Sequence, residues 1–382
     1  MIRQLTEELA ELQAKGLFRK LRTLSHYRGT RADWEGKELI LFCGNDYLGL
    51  SRHPRVIQAA HLALEKYGVG AGAARLISGT SDLHTQLEEE LARFKGKERA
   101  LVFGSGYLTN LGILSALAGE KDLIVMDKLC HASIIDGARL SGATLRFFPH
   151  KNYSRCDEIL RNNDRFGKKI LVSDSVFSMD GDLADLTELV WLKKKHDALL
   201  VIDDAHGIGV FGEMGQGVVD GGVKDEVDAI VGTLSKSLGV FGGFAAASAP
   251  LVETLINLSR TFIFATAPPP VLLAASLESL RLIQEDPSLR EQLWQNVERV
   301  QRFLTGKGFK LQTLSPIFPI LIGDENEAVR VSEALLDRGI LIPAIRYPTV
   351  PRGKARLRLT VSAAHTEEDL TQLFRALSEA LG

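Results

Sequence analysis

The sequence predicts an α/β protein with a large, mostly parallel sheet and a smaller C-terminal α/β domain. Short apolar runs alternate with helical patterns from residue 100 to residue 231, which is the βαβ pattern of a buried parallel sheet. The 382 residues exceed what one hydrophobic core usually supports, so two domains are expected. We divide the chain into an N-terminal helix and arm (1–45), a large domain (46–285) and a small C-terminal domain (286–382).

The segments before the predicted sheet are mainly helical. Residues 52–67 form one helical pattern, and a second runs from a Ser81 cap to a terminal Gly96. Within the second helix, the run Glu88-Glu89-Glu90 is interpreted as a solvated face. Residues 68–80 are rich in glycine, but they follow a helix and have the wrong spacing for a dinucleotide-binding fingerprint.

The other elements follow from apolar runs and helical periodicity. The predicted strands are 38–42, 100–103, 122–126, 144–148, 169–173, 198–203, 229–231, 309–314, 317–322 and 355–361. The predicted helices, apart from the two above, are 2–15, 131–140, 154–163, 186–196, 287–305, 325–338 and 366–380.

Composition and charge exclude several classes of protein. A net charge of -2 gives no electrostatic reason to bind nucleic acid or an anionic membrane. No apolar run is long enough to span a bilayer, and the N-terminal segment is an acidic amphipathic helix rather than a signal peptide. Cys43, Cys130 and Cys156 are too far apart in the sequence to form a metal-ligand pair, so no metal site is expected. We expect a cytoplasmic protein with reduced thiols.

One lysine is distinguished by its surroundings. Lys236 follows the apolar run 229–231 and lies among small residues, hydroxyls and glycines. Burial lowers the pKa of a lysine and frees its amine as a nucleophile toward carbonyls. The hydroxyls of Thr233, Ser235 and Ser237 are suited to binding a phosphate. This stretch alone leaves open the alternative of a surface-loop lysine beside a tight turn.

Polar segments follow four strands of the predicted sheet, where function gathers in folds of this kind. They are DKLCHAS (127–133), SVFSMDGD (175–182), DDAHG (203–207) and the turn of Lys236. Each alone has an ordinary interpretation as a cap, a turn or a satisfied histidine. Together they match pyridoxal phosphate, which needs a lysine for its Schiff base and an acid at its pyridine nitrogen. A strand, glycine turn and helix at residues 104–107 predict an anion site for its phosphate.

The motifs GAGAARLISGT, SVFSMDGD, DDAHGIGVFG and TLSKSLG resemble those of the α-oxoamine synthases. That family belongs to the fold-type I, aspartate aminotransferase-like group of pyridoxal phosphate enzymes, and the resemblance runs from about residue 20 to the C-terminus. It implies a transferase with a mostly parallel seven-stranded sheet in its cofactor-binding domain (46–285). Two positions depart from the family pattern: Asp174 replaces a glutamate, and Tyr347 interrupts the segment AIRYPTVP.

The resemblance implies a role for each residue that matches the family motifs. Those implied to bind the cofactor are Gly106, Tyr107 and Thr233 at the phosphate, His131 on the ring face, Asp203 at the pyridine nitrogen, His206 and Ser178 at the ring oxygen, and Lys236 in the Schiff base. Those implied to be catalytic are Lys236, His131, Asp203 and His206. Those implied to bind substrates are Asn45 and Arg358 at the amino-acid carboxylate, and Arg22 and Thr349 at the acyl substrate. Thr266 is implied to reach the phosphate in the neighbouring subunit, because the active sites of this family lie at a homodimer interface.

The implied reaction is a decarboxylative condensation of an amino acid with an acyl thioester. Within the family, the resemblance of NDYLGL (45–50), SVFSMDGD (175–182) and the segment 344–366 favours L-alanine with a pimeloyl thioester, delivered by CoA or by an acyl carrier protein, in biotin biosynthesis. The close alternative is the reaction of glycine with acetyl-CoA, the 2-amino-3-ketobutyrate CoA ligase reaction. The alternative from another class is a non-catalytic protein that only binds pyridoxal phosphate.

Overall fold

The computed structural model describes residues 2–14, 17–311 and 315–381, and the chain divides into two compact units. The first unit contains Met1–Gly44, Phe318–Thr360 and His365–Gly382, and the second contains Asn45–Ile317 and Val361–Ala364. The predicted three-part division of the chain stays a prediction. Within the described ranges, no helix combines the length and the apolar character needed to cross a membrane.

Most of the predicted elements are present, with ends shifted by a few residues. The strands are β1 (Ser25–Arg28), β2 (Arg31–Trp34), β3 (Lys37–Leu41), β4 (Arg99–Phe103), β5 (Leu123–Asp127), β6 (Thr144–Phe148), β7 (Lys169–Asp174), β8 (Leu199–Asp203), β9 (Ala229–Thr233), β10 (Gly243–Ala247), β11 (Ile317–Gly323), β12 (Ile340–Leu341), β13 (Ala344–Ile345) and β14 (Ala355–Thr360). The helices are α1 (Ile2–Ala14), α2 (Pro54–Tyr67), α3 (Asp82–Lys95), α4 (Gly106–Leu117), α5 (Ala132–Leu140), α6 (Tyr153–Arg161), α7 (Leu186–His196), α8 (Ala249–Leu258), α9 (Arg260–Ile263), α10 (Pro270–Glu285), α11 (Ser288–Gly306), α12 (Glu325–Asp337) and α13 (Glu367–Leu381). The strand predicted at 309–314 falls partly on residues 312–314, which lie outside the described residues.

The second unit is built on a seven-stranded sheet in the order β4-β10-β9-β8-β7-β5-β6. The strands from β9 to β6 are parallel, and β10 is antiparallel to both of its neighbours. The predicted fold class, a mostly parallel seven-stranded sheet, is therefore confirmed. The parallel strands all end at one edge of the sheet, which brings the polar segments after β5, β7, β8 and β9 to that edge.

Helices cover both faces of this sheet, so its central strands are buried on both sides. Within β5, Ile124 and Met126 belong to one core cluster with residues of α4, α5 and α8, whereas Leu123 and Val125 belong to a second cluster with residues of α6 and α7. Side chains alternate between the faces of a strand, and a strand buried on both faces therefore has a continuous apolar sequence. This is why the apolar runs predicted these strands.

The strand β10 was not predicted from the sequence. Its residues, GFAAA, are mostly of weak β propensity, and the strand begins at the second of two consecutive glycines, so it lacks a strand signal. The structure explains the small residues, because a Cβ atom on Gly243 would lie only 2.4 Å from the backbone nitrogen of Gly106. The glycine lets the amino end of α4 approach the edge of the sheet.

The first unit holds two small sheets, with strand orders β1-β2-β3-β12 and β11-β14-β13. Of the strands near the N-terminus, the sequence predicted only the one at 38–42. The structure adds β1 and β2, and the basic residues around them form ion pairs: Arg28 with Asp33, and Arg31 with the buried Asp369 of α13. These pairs tie the N-terminal strands to one another and to the last helix.

Candidate active site

Asp203 ends β8 at the carboxyl edge of the large sheet, and its carboxylate is fixed by two donors. Its Oδ1 accepts a hydrogen bond from the backbone N–H of Ala205 at 3.0 Å, and its Oδ2 accepts one from Asn110 Nδ2 at 2.6 Å. The same Asn110 amide donates to Ser133 Oγ at 2.9 Å. Asp203 is thus a buried acceptor held in one orientation, as an acid that stabilises a cationic ring nitrogen has to be.

The adjacent acid, Asp204, is engaged elsewhere. Successive residues of an extended strand point to opposite faces, and Asp204 is fully buried with its Oδ2 2.9 Å from the equally buried Lys95 Nζ. Its Oδ1 accepts from Ser175 Oγ at 2.6 Å and from the backbone N–H of Val218 at 3.2 Å. The two acids of the DDAH motif therefore have different tasks, and Asp204 serves the core.

His131 caps the amino end of α5 and remains exposed. Its backbone N–H donates to Asp174 Oδ2 at 2.9 Å, and its Nδ1 is 2.7 Å from Ser133 Oγ. Desolvation lowers the pKa of the His131 imidazole, the charge of Asp203 opposes this, and the charge of Lys236 adds to it. The buried Asp174 has a pKa raised well above its ordinary value by desolvation and by the charge of Asp203. His131, Asp203 and Lys236 are therefore close enough to act on one another electrostatically.

His206 lies in the turn after β8 and is buried. Its Nδ1 is 2.7 Å from the hydroxyl of Tyr47, whose ring is tilted against the imidazole. Tyr47 is also buried, and it was noted in the sequence only within the family signature NDYLGL. The hydrogen bond to Tyr47 fixes the orientation of the His206 ring.

Lys236 lies half-buried in a tight turn after β9. The turn is closed by the backbone N–H of Gly239, which donates to the Lys236 carbonyl at 2.8 Å. Gly239 has φ +69°, and a Cβ atom there would lie 2.3 Å from the backbone nitrogen of Ser51, so only glycine fits. The surface-lysine alternative loses support, because the turn is packed against another segment of the second unit.

The hydroxyls beside Lys236 meet the amino end of α4. Thr233 Oγ1 is 2.8 Å from Ser235 Oγ, and a Cβ atom on Gly106 would lie 3.4 Å from Thr233 Cβ. The first amides of a helix have no helical partner and favour an anion. The structure therefore brings Gly106 and Thr233 together as predicted. Ser237, in contrast, is buried against the glycine at position 209.

The remaining predicted cofactor residues lie on loops of the second unit. Tyr107 is exposed, its hydroxyl donates to Asp136, and its ring is 6.3 Å from that of His131. Ser178 lies half-buried in the loop after β7. Thr266 is exposed and forms an antiparallel bridge with Ala74, so the segment FATAPPP pairs with the glycine-rich segment 68–80.

The predicted substrate residues are divided between the units. Asn45 belongs to the second unit, whereas Arg22, Thr349 and Arg358 belong to the first. Arg358 is buried on β14, Thr349 is exposed, and the exposed Arg22 guanidinium lies 4.9 Å from the centre of the Trp34 ring. Desolvation raises the pKa of the Cys43 thiol to about 11 against the opposing charges of Arg358 and Arg22. Those two cations of the first unit therefore lie near a single thiol.

Comparison with known proteins identifies the family. The chain matches the family model "Aminotransferase class I and II" over residues 37–377. It is 45% identical to 8-amino-7-oxononanoate synthase of Geobacter metallireducens, covering 100% of this chain and 98% of the relative. This chain belongs to the 8-amino-7-oxononanoate synthase family. The resemblance inferred from the motifs is thereby confirmed.

Solved structures agree with this family membership. The fold is similar to that of a variant of S. paucimobilis serine palmitoyltransferase with bound PLP–myriocin aldimine, with a TM-score of 0.92 and 34% identity over 99% of this chain and 96% of that chain. It is also similar to 8-amino-7-oxononanoate synthase from Francisella tularensis, with a TM-score of 0.77 and 31% identity over 90% of this chain and 98% of that chain.

Several residues that shape this family member's site were not singled out in the sequence. Asn110 orients Asp203, Tyr47 orients His206, and Lys95 neutralises Asp204. Each partner is separated from its acceptor or ring by about 90 residues or more of chain. The available signal was Asn110 itself, a side-chain amide in helix α4, whose other residues are apolar, glycine or hydroxyl-bearing.

Proposed function

We propose that this chain condenses L-alanine with a pimeloyl thioester, with loss of carbon dioxide, to form 8-amino-7-oxononanoate for biotin biosynthesis. The reaction is that of relatives about 45% identical over the whole chain. The observation that carries the chemistry is the convergence of Lys236, the fixed Asp203 carboxylate and the α4 amino end at one edge of the sheet. The enzyme is a pyridoxal phosphate-dependent acyltransferase.

The residues present fit pyridoxal phosphate. The cofactor, when bound, withdraws electrons from the α-carbon of an amino acid and so permits a carbanion to form. Lys236 Nζ would hold it covalently and, as a free amine, would carry the substrate's α-proton. Asp203 would keep the pyridine nitrogen protonated, and its two donors preserve that geometry.

The phosphate and ring contacts follow from the same geometry. The α4 amides at Gly106 and Tyr107, with the Thr233 hydroxyl, would bind the phosphate, because they combine helix-end donors with a neutral hydroxyl. His131, held at its backbone by Asp174, would stack on the ring face. His206 and Ser178 would bond the ring oxygen. These roles belong to the proposal.

The substrates need cations. Pimeloyl carries a terminal carboxylate, and the amino acid carries another. We assign Asn45 and Arg358 to the amino-acid carboxylate, and Arg22 and Thr349 to the acyl chain. Arginine binds carboxylates through two parallel hydrogen bonds, which favours it at such positions.

We further propose that the enzyme is a cytoplasmic homodimer whose sites include Thr266 of the neighbouring subunit. Thr266 is exposed in this chain. Exposed apolar side chains lie close to it in the sequence, at Phe264, and on the segment that pairs with it, at Leu76 and Ile77. A second copy of the chain would cover this apolar surface.

The experiment that tests the reaction offers alanine or glycine together with pimeloyl-CoA, pimeloyl-acyl carrier protein or acetyl-CoA. Free thiol and carbon dioxide are measured, with Lys236→Ala as the inactive control. Thiol and carbon dioxide released together from alanine and a pimeloyl thioester are expected. Because one methyl group contributes only about 1–3 kcal/mol to discrimination, glycine should be a poorer substrate rather than an excluded one. Efficient turnover of glycine with acetyl-CoA, and of no other pair, would assign the ligase reaction. Absence of turnover with every pair would indicate a protein that only binds pyridoxal phosphate.

A further inference from the structure

A second charged cluster lies near the carboxyl ends of β5 and β7, outside the residues assigned to the cofactor. His150 Nδ1 is 3.1 Å from both carboxylate oxygens of Asp127, and its Nε2 is 3.0 Å from Asp182 Oδ2. The two carboxylates are 2% and 1% exposed, whereas the histidine side chain is 25% exposed. Since both ring nitrogens face acceptors, both must carry a proton, and His150 is an imidazolium.

The charges around this histidine support that protonation state. Desolvation opposes the charge, but the hydrogen bonds to Asp127 and Asp182 outweigh it and raise the pKa of His150 to about 9. Desolvation would raise the pKa of Asp182, but His150 and Lys151 lower it overall. The Lys151 ammonium is 3.1 Å from the same Asp182 oxygen, and desolvation raises the pKa of the half-buried Tyr153 to about 12. His150 is the group that bonds both carboxylates through its side chain.

Asp127 organises the turn that leads to His131. Its Oδ1 accepts from the backbone N–H of Leu129 at 2.8 Å, and its Oδ2 accepts from the backbone N–H of Lys151 at 2.9 Å. The backbone N–H of Cys130 then donates to the Asp127 carbonyl at 3.1 Å, directly before His131. A shift of the Asp127 carboxylate would therefore move the start of this turn.

Asp182 organises the loop that carries Ser178. Its carbonyl accepts from the backbone N–H of Phe177 at 2.9 Å, and the N–H of Gly181 donates to the Phe177 carbonyl at 2.8 Å. The His150 ring packs edge-on against the Phe177 ring with centres 4.4 Å apart. The His150 imidazole thus contacts this loop twice, by bonding the Asp182 carboxylate and by packing against the Phe177 ring.

We propose that His150 is a positioning residue that ties the turn of His131 to the loop of Ser178 and so fixes both for the cofactor. This inference rests on the proposed function for the roles of His131 and Ser178. The contacts of His150 with Asp127 and Asp182 do not depend on those roles. His150 itself touches neither substrate nor cofactor in this account.

The test compares wild type with His150→Gln and with a matched control, His196→Gln. His196 is also a histidine bonded to a carboxylate in the second unit, with Nε2 2.7 Å from Asp157 Oδ1. It lies at the opposite edge of the sheet, where its carbonyl accepts from Lys169 at the start of β7. The variants are measured as full-length apoprotein, by hydrogen exchange of amides 127–131 and 175–183 and by the dissociation constant for pyridoxal phosphate.

We expect His150→Gln to exchange these amides at least about tenfold faster and to bind pyridoxal phosphate about tenfold more weakly, since at least one charge-assisted bond is lost. His196→Gln should change neither quantity by more than about twofold. Asp182→Asn, which retains the shape of the side chain, should act in the same direction as His150→Gln and decides the matter if the histidine variant does not fold.

Three results would overturn the proposal. They are unchanged exchange and affinity in His150→Gln, equal effects in His150→Gln and His196→Gln, or faster exchange without weaker binding. A wild-type protein that binds no pyridoxal phosphate would instead reject the proposed function. The exchange rates separate the two failures, because they report the contacts of His150 in the absence of cofactor.

Discussion

The adjacent aspartates Asp203 and Asp204 should separate catalysis from stability. Asp204 and Lys95 are each 0% exposed, with 2.9 Å between their charged atoms. Asp204→Asn would leave the Lys95 ammonium buried opposite a neutral amide, although it would still donate to the Gln216 carbonyl. Removing one member of a buried pair typically costs ~3–5 kcal/mol of unfolding free energy. We expect a loss of that size, measured by urea denaturation of the apoprotein.

Asp203→Asn should instead act mainly on turnover. The Asp203 oxygens accept from the Ala205 N–H and from Asn110, so an asparagine would place its own NH₂ group against one of these donors. It would also lose the negative charge that stabilises a protonated pyridine nitrogen. We expect turnover to fall on the order of 10²-fold or more, ~2.7 kcal/mol in activation free energy. The unfolding free energy should fall by only ~1–3 kcal/mol, the cost of one buried donor left without an acceptor, which is less than the loss in Asp204→Asn.

A double variant supplies the control for the buried pair. In Lys95→Met/Asp204→Asn both charges are absent, and replacing both partners costs far less than removing one. Its unfolding free energy should return to within ~1–2 kcal/mol of wild type and, compared with both single variants, Asp204→Asn and Lys95→Met, should give a coupling of at least ~2 kcal/mol. Near-normal turnover in Asp203→Asn, or wild-type stability with lost turnover in Asp204→Asn, would show that the roles of the two acids were assigned the wrong way round.

The other predictions concern the cofactor linkage, the subunits and pH. Borohydride should fix pyridoxal phosphate to Lys236, and peptide mapping that finds the label on another lysine would reject that assignment. Mixing Lys236→Ala chains with Thr266→Ala chains should change activity through hybrid dimers, whereas a monomer active at high dilution would contradict a shared site. His150 has its pKa raised in the folded chain, so its stabilisation is complete below about pH 6.5 and is lost as the pH rises toward about 9. Wild type should therefore lose ~1–3 kcal/mol relative to His150→Gln across that window, and parallel pH profiles would disprove the charged state.

The sequence predicted the features that depend on local pattern. The parallel strands were found because each is a short apolar run between polar turns, and the cofactor residues because they follow those strands. Asp203, His206 and Lys236 could be placed at one edge of the sheet before any coordinates, since parallel strands end together. The family resemblance then assigned their roles.

The features that depend on distant partners were not predicted. The run Glu88-Glu89-Glu90 was interpreted as solvated, which is wrong for Glu88. Its carboxylate forms two hydrogen bonds with Arg75 at 2.8 and 2.9 Å and also accepts from the backbone N–H of Val102. A helix pattern shows which residues share a face, but it does not show that a buried arginine lies opposite one of them.

The DDAH motif also implied a buried cation, although the sequence did not show which residue it is. Two consecutive acids at the end of a strand point to opposite faces, so one of them must enter the core of a sheet that is covered on both sides. A carboxylate there requires a cation or several donors, because an isolated buried charge is too costly. A buried cation was therefore predictable in kind but not in position. Lys95 meets the need because it lies four residues after the buried Leu91, on the same inward-facing side of α3. Asp203 is then the acid that remains for the proposed role at the pyridine nitrogen.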